Sequence, residues 1–185
     1  MDLDDMRRLP LEDQVTVLVG LSARHAVEME GALRSVLMTL DPDFDPSARR
    51  WFSELIRAFR HQISENPVFS KEARIASLSI ATKALDAYER RSSHVHDLMV
   101  PYEDASIERF RFERDHDYAL QREPDMLSVP DLVQTCVDLM HVTWRLRGVS
   151  FYLQKPDKRI LWSRLLGGEF QARWDGSAHH SEIIR

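Results

Sequence analysis

One helical stripe constrains this chain more than any other feature. Between Pro10 and the "DPDFDP" segment at Asp41–Pro46, apolar or small residues recur at Val15, Leu18, Ser22, Met29, Leu33, Val36 and Leu40. Steps of three, four and their sums place them all on one face of an α-helix. A helix from Leu11 to Leu40 with a single apolar face needs other helices to cover that face.

The rest of the chain supplies them. Asp45, with Pro46 at the first helical position, is placed to cap a second helix carrying Trp51, Phe52, Leu55, Ile56 and Phe59, which dissolves at "ENP". Ser70 caps a third, with Lys71 and Glu72 in its first turn and a stripe of Ile75, Leu78, Ala81, Leu85, Tyr88 and Val95. Pro101 stops that helix near Leu98, because the residue before a proline avoids helical geometry. The period then changes. In "SIERFRFERDHDYALQ", Ile107, Arg109 and Arg111 alternate with Phe110 and Phe112 before an Asp-rich turn at "RDHD", the pattern of a β-hairpin. Ser128 caps a fourth helix, with Pro130 and Asp131 in its first turn and Val133, Cys136, Val137, Met140, Trp144 and Phe151 on its apolar face. A short amphipathic piece from Ile160 to Leu166 and a polar tail follow.

The expected fold is therefore all-α, a four- to five-helix bundle with a β-hairpin inserted between the third and fourth main helices. Residues 1–155 form the helical domain in this reading, and residues 156–185 a short C-terminal helix and polar tail. A lone hairpin cannot bury its own apolar side, so it must lie against the bundle or a partner.

Composition narrows the function. Apolar residues make up 43% of the 185, enough for a folded core. The net charge of −5 offers no global attraction to nucleic acid, so any RNA contact must come from a local basic patch. The single cysteine, Cys136, excludes a disulfide within one chain and points to a reducing cytoplasm. The acidic start "MDLDDMRRLP" has no apolar signal-peptide core, and no apolar run approaches the roughly 20 residues of a membrane span.

The third helix ends on "AYERRSSHVHDLM", Ala87 to Met99, which crowds Arg90, Arg91, Ser92, Ser93, His94 and His96 together. An arginine fork suits phosphate oxygens, and a histidine takes or gives a proton near neutrality. Together they suffice for metal-free RNA cleavage: the base removes the 2′-OH proton and the cation stabilises charge building on phosphorus. A solvated helix end is the plain alternative, since the dipole favours a histidine there. Similar pairs, Arg111 with His116 and Arg173 with His179, occur elsewhere, and about three are expected by chance. In an unbroken helix, Arg91 and His96 point about 140° apart. They converge if the helix ends between them or if a second subunit completes the site, whereas Arg90 and His94 share one face.

The run "RSSHVHDLM" also resembles the HEPN superfamily, helical domains in which an arginine, a polar residue, three further residues and a histidine end a core helix. Arg91, Ser92, Val95, His96 and Asp97 stand in those places, and the following hairpin and capped last helix resemble one bacterial branch. The resemblance covers about Leu9 to Leu153. Ser92 stands where asparagine is commonest, keeping polarity but losing the amide's paired donor and acceptor. The resemblance implies a metal-independent endoribonuclease, commonly a toxin or phage-defence (abortive-infection) effector. It would need no cofactor and would act as a homodimer with the two motifs meeting across a shared cleft. Arg91 would stabilise the pentavalent phosphate, His96 would be general base or acid, Ser92 and Asp97 would orient them, and Arg90 or His94 would assist. RNA is then the substrate, and an antitoxin or a nucleotidyltransferase is the partner that such an effector implies.

Other residues carry other readings. Arg109 and Arg111, joined by Arg122 from the second strand, could hold an RNA backbone, or could form a solvated strand face with the phenylalanines inward. Asp138 and His141 have a spacing that can bind metal in a bundle, although they fall opposite the expected apolar face with Arg145. Two further functions stay open at this point. One is a non-catalytic HEPN-like module that binds a nucleotide or a protein; the other is a metal-dependent helical-bundle enzyme using His25, His61 or His141.

Overall fold

The computed structural model describes residues 3–102, 106–110 and 125–167, of which 76% are helical. The elements are α1 (Leu3–Arg7), α2 (Leu11–Leu40), α3 (Phe52–Glu65), α4 (Lys71–His96), β1 (Leu98–Pro101), β2 (Ser106–Phe110), β3 (Asp125–Ser128), α5 (Val129–Gln154), a 3₁₀ turn at Pro156–Lys158, and α6 (Arg159–Gly167). Helices therefore dominate, with a small antiparallel sheet between α4 and α5. Among the described residues, no helix is long and apolar enough to cross a membrane.

The chain forms two compact units, to both of which α2, α4 and α5 contribute residues. Of the described residues, the first comprises 3–24, 89–102, 106–110 and 125–137. Its core is Met6, Val15, Leu18, Ile107, Leu132 and Cys136. The Cys136 thiol donates to the Leu18 carbonyl at 3.5 Å, and burial pushes its pKa up to about 12, so it is a packing group rather than a nucleophile. The second comprises 25–88 and 138–167, packed around Met29, Leu33, Phe59, Ile63, Ile80 and Leu146.

The α2 stripe lies as its spacing requires, with Val15, Leu18, Ser22, Met29, Leu33 and Val36 buried. The second helix starts later than Asp45 and Pro46 suggest. Asp45 closes a turn instead, its carboxylate accepting from the Ser47 N–H at 2.8 Å and hydroxyl at 2.7 Å. Arg34 holds that loop through the Pro46 and Ala48 carbonyls at 2.9 and 3.2 Å. Helix α3 begins at Phe52, where the Glu54 carboxylate accepts from the Trp51 N–H at 2.8 Å, and Trp51 is exposed outside the stripe.

Ser70 does cap α4, its hydroxyl accepting from the Ala73 N–H at 3.2 Å. The buried face of α4 is rotated from the expected one. Ala73, Ser77, Ile80, Ala81, Ala84 and Ala87 are buried, whereas Ile75 is 60% exposed. Small residues let neighbouring helices approach closely, and that outweighs the larger but sparser apolar residues. Helix α5 turns likewise. Leu132, Cys136, Leu139, Val142, Leu146, Val149 and Tyr152 are buried, and the expected Trp144 and Phe151 are exposed. Thr135 and Thr143 sit on the buried side because their hydroxyls donate to the Asp131 and Leu139 carbonyls at 3.1 and 2.8 Å. Tyr152 ties α5 to the start of α4: its hydroxyl accepts from the Ser70 N–H and donates to the Val68 carbonyl, at 3.2 and 3.1 Å. Helix α6 is no appendage. Leu166 is buried in the second core, and a Cβ on Gly148 would come within 3.2 Å of its Cδ2.

The sheet order is β1-β2-β3, antiparallel throughout. Strand β1, directly after α4, was not signalled by the alternation, because a four-residue strand has too few positions to show a period. Residues Arg111, Phe112 and Arg122 and the "RDHD" turn lie outside the described residues, as do residues 168–185.

Ile80→Ala is expected to cost about 2–5 kcal/mol and Ile75→Ala less than about 0.5 kcal/mol. Urea unfolding of both variants measures the difference. A larger loss at Ile75 would restore the face read from the sequence.

Candidate functional site

Helix α4 runs unbroken to His96, and the Asp97 N–H still donates to the Ser93 carbonyl at 2.9 Å. The cluster therefore decorates two regular turns. Arg90 and His96 are exposed, Arg91 and Ser92 are half-buried, and His94 is only 4% exposed. No helix end intervenes between Arg91 and His96, so within one chain they do not converge. The imidazole that sits beside the arginines is His94, within three and four residues of Arg91 and Arg90.

Strand β2 brings Arg109 to this end of α4. Ile107 is fully buried, and the period of two puts Arg109 on the same inward face. For Arg109 the expectation of a solvated strand face is thus reversed. The Arg109 side chain is 14% exposed and lies between two carboxylates. Its Nε is 3.7 Å from Asp97 Oδ2, and its Nη2 donates to Asp125 Oδ2, the cross-strand neighbour on β3. Asp97 is 8% exposed and Asp125 66%. As it stands, Arg109 is an anchored cation rather than an open RNA contact. Arg111, its expected companion, lies outside the described residues.

A further carboxylate sits at the start of α5. Asp131 accepts from the Ser128 N–H at 2.8 Å and hydroxyl at 2.6 Å, and these bonds hold its carboxyl below the usual range. Burial, then the charges of Arg109 and Arg90, push the His94 pKa down to about 4, against a weaker upward pull from Asp97 and Asp131. His94 is consequently neutral at neutral pH. Among the described residues, none hydrogen-bonds its Nδ1.

The chemistry divides between the two imidazoles. His94 is neutral and shut away from a polymeric substrate, so it shapes the charge of the site from behind. His96 is open to solvent at the helix terminus and can meet a substrate. Asp125 escaped the sequence reading, and Asp131 entered it only as a first-turn helix residue. "SVPD" did signal the Ser128–Asp131 cap, but no local pattern pairs Asp125 with Arg109 across a connection of unpatterned length.

The histidines of the metal reading do not assemble. Among the described residues, no group of three or more His, Cys, Asp or Glu is placed to hold an ion. His25 is buried, with Nδ1 3.3 Å from Glu28 Oε2; His61 is exposed on α3. His141 is half-buried, its pKa lowered mainly by burial and opposed by Asp138. No family model, curated protein or solved structure matches the chain.

The buried imidazole has a testable pH signature. The folded chain refuses a proton at His94 until about pH 4, whereas the unfolded chain accepts one near 6.5. Its contribution to stability is complete above the unfolded value and falls as pH drops through this window. His94→Gln is expected to lose less stability than wild type between about pH 7 and pH 5 in urea titrations, because glutamine does not titrate. Equal losses would contradict a buried neutral imidazole.

Proposed function

We propose that this chain is a metal-independent RNA endonuclease of the HEPN type, acting as a homodimer. The observation that supports it best is the continuity of α4 through both motif residues. Two side chains about 140° apart on one helix address different surroundings. A second copy that lays its own α4 alongside would pair Arg91 of one chain with His96 of the other.

In this scheme His96 Nε2 or Nδ1 takes the 2′-OH proton, and the freed oxygen attacks the adjacent phosphorus. Arg91 donates its fork to the non-bridging oxygens as their charge rises. The P–O5′ bond breaks, and the leaving oxygen takes a proton from water. The products are a 2′,3′-cyclic phosphate and a 5′-hydroxyl. Ser92 and Asp97 hold the helix end, Asp97 through its ion pair with Arg109. Arg90 adds positive potential at the rim. Such an activity inside its own cell fits a toxin or phage-defence effector restrained by an antitoxin or a nucleotidyltransferase.

Arg91→Ala and His96→Ala are each expected to lower RNA cleavage about 100-fold, with EDTA without effect on wild type. Light scattering should report a particle of twice the 21.6 kDa chain. Exchanging subunits between the two inactive variants should recover about a quarter of wild-type activity, because half the dimers are mixed and each holds one intact composite site. Full activity in His96→Ala would end the catalytic reading, and an inactive mixture would end the shared site.

A further inference from the structure

The Arg109 guanidinium has two anionic partners of very different accessibility. Asp97, on the α4 side, is 8% exposed; Asp125, on the outer strand β3, is 66% exposed. The inner contact uses Nε and the outer one Nη2. A guanidinium carries its N–H donors on separate nitrogens of a rigid fork, so the contact at Nε can stay while Nη2 exchanges its partner. The carboxylate of Asp125 occupies the position at Nη2 that a phosphate oxygen would take, since both are oxyanions seeking the same N–H.

We infer that Asp125 is a built-in phosphate mimic, an autoinhibitory contact that an RNA backbone phosphate must displace to reach Arg109. The proposal rests on RNA being the ligand of this site, as in the function above. Charge makes the contact inhibitory. While Asp125 holds Nη2 that donor is closed to a phosphate oxygen, and the carboxylate's own charge repels a second anion there until Asp125 swings out. Exposure makes it reversible. A pair with a solvent-exposed member is weak, worth about fivefold or less in an equilibrium, so a polyanion with several phosphates can outcompete it. The 3.7 Å ion pair with Asp97 then keeps Arg109 in place while Nη2 changes partner. Arg109 thereby joins Arg90 beside His94, the imidazole on which both cations act.

The test is binding of a non-cleavable 2′-O-methyl oligoribonucleotide, read by fluorescence anisotropy over a salt series. Asp125→Asn should bind about fivefold tighter than wild type, with a salt slope steeper by about one phosphate contact. Glu108→Gln is the matched control. It removes the same charge from the same sheet, but Glu108 accepts from the Tyr102 hydroxyl at 2.7 Å and lies on the opposite face of β2. It should shift affinity less than about twofold. Adding Arg109→Gln to Asp125→Asn should abolish the gain. Equal shifts from Asp125→Asn and Glu108→Gln, or a gain that survives Arg109→Gln, would overturn the proposal, as would absence of binding by every variant. Should Arg109→Gln fail to fold, the comparison of Asp125→Asn with Glu108→Gln decides alone. Tighter binding by Asp125→Asn in a protein that cleaves no RNA would defeat the endonuclease and leave the gate standing. Active cleavage without tighter binding would do the reverse.

Discussion

A strand that buries Ile107 turns Arg109 the same way, because side chains two apart share a face. That constraint organises the first unit. A cation brought to 14% exposure needs anionic partners, and Asp97 and Asp125 provide them from the end of α4 and from β3. The pairing fastens the residue next to His96 to the sheet. It also places positive charge beside His94, which reinforces the effect of burial and keeps that imidazole neutral. Helix terminus, strand and buried histidine thus form one electrostatic arrangement, in which the geometry of the motif follows from the burial of an isoleucine.

Two histidines separated by a single valine have opposite fates. His94 points into the first unit and is lost to solvent; His96, the last helical residue, is open. A helix advances about 200° over two residues, so burial of one exposes the other. This division separates a shielded imidazole from one that is open to solvent. It also explains why a cluster that reads as uniformly basic is chemically heterogeneous.

The second unit combines large buried side chains, such as Phe59, Met29 and Leu33, with a row of small ones. Ala73, Ala81, Ala84 and Ala87 on α4 and Thr143 on α5 are buried in it, and Gly148 leaves the room that Leu166 fills. Phe52 stacks on Tyr88 at 4.1 Å between ring centroids, and Phe69 on Tyr152 at 5.1 Å. Such stacked pairs add specificity to what area burial alone provides. The cost of the small-residue face is that larger apolar groups, Ile75, Trp144 and Phe151 among them, are left outside.

By itself the sequence determined what depends on neighbours along the chain. The span and face of α2, the Ser70 and Ser128 helix starts, and the place of the β-segment between two helices all follow from local spacing, capping chemistry and proline geometry. Tertiary structure decided what depends on residues far apart. Alanine, threonine and glycine are ambiguous in a hydropathy pattern, so the buried faces of α4 and α5 were settled only by which neighbours could approach them. The same holds for the site. The run from Arg90 to Asp97 is visible in the letters, but the burial of His94, the inward turn of Arg109 and its hold on Asp97 and Asp125 are not. An ion pair across strands depends on register, and register is set by burying Ile107 against a core assembled from α1, α2 and α5.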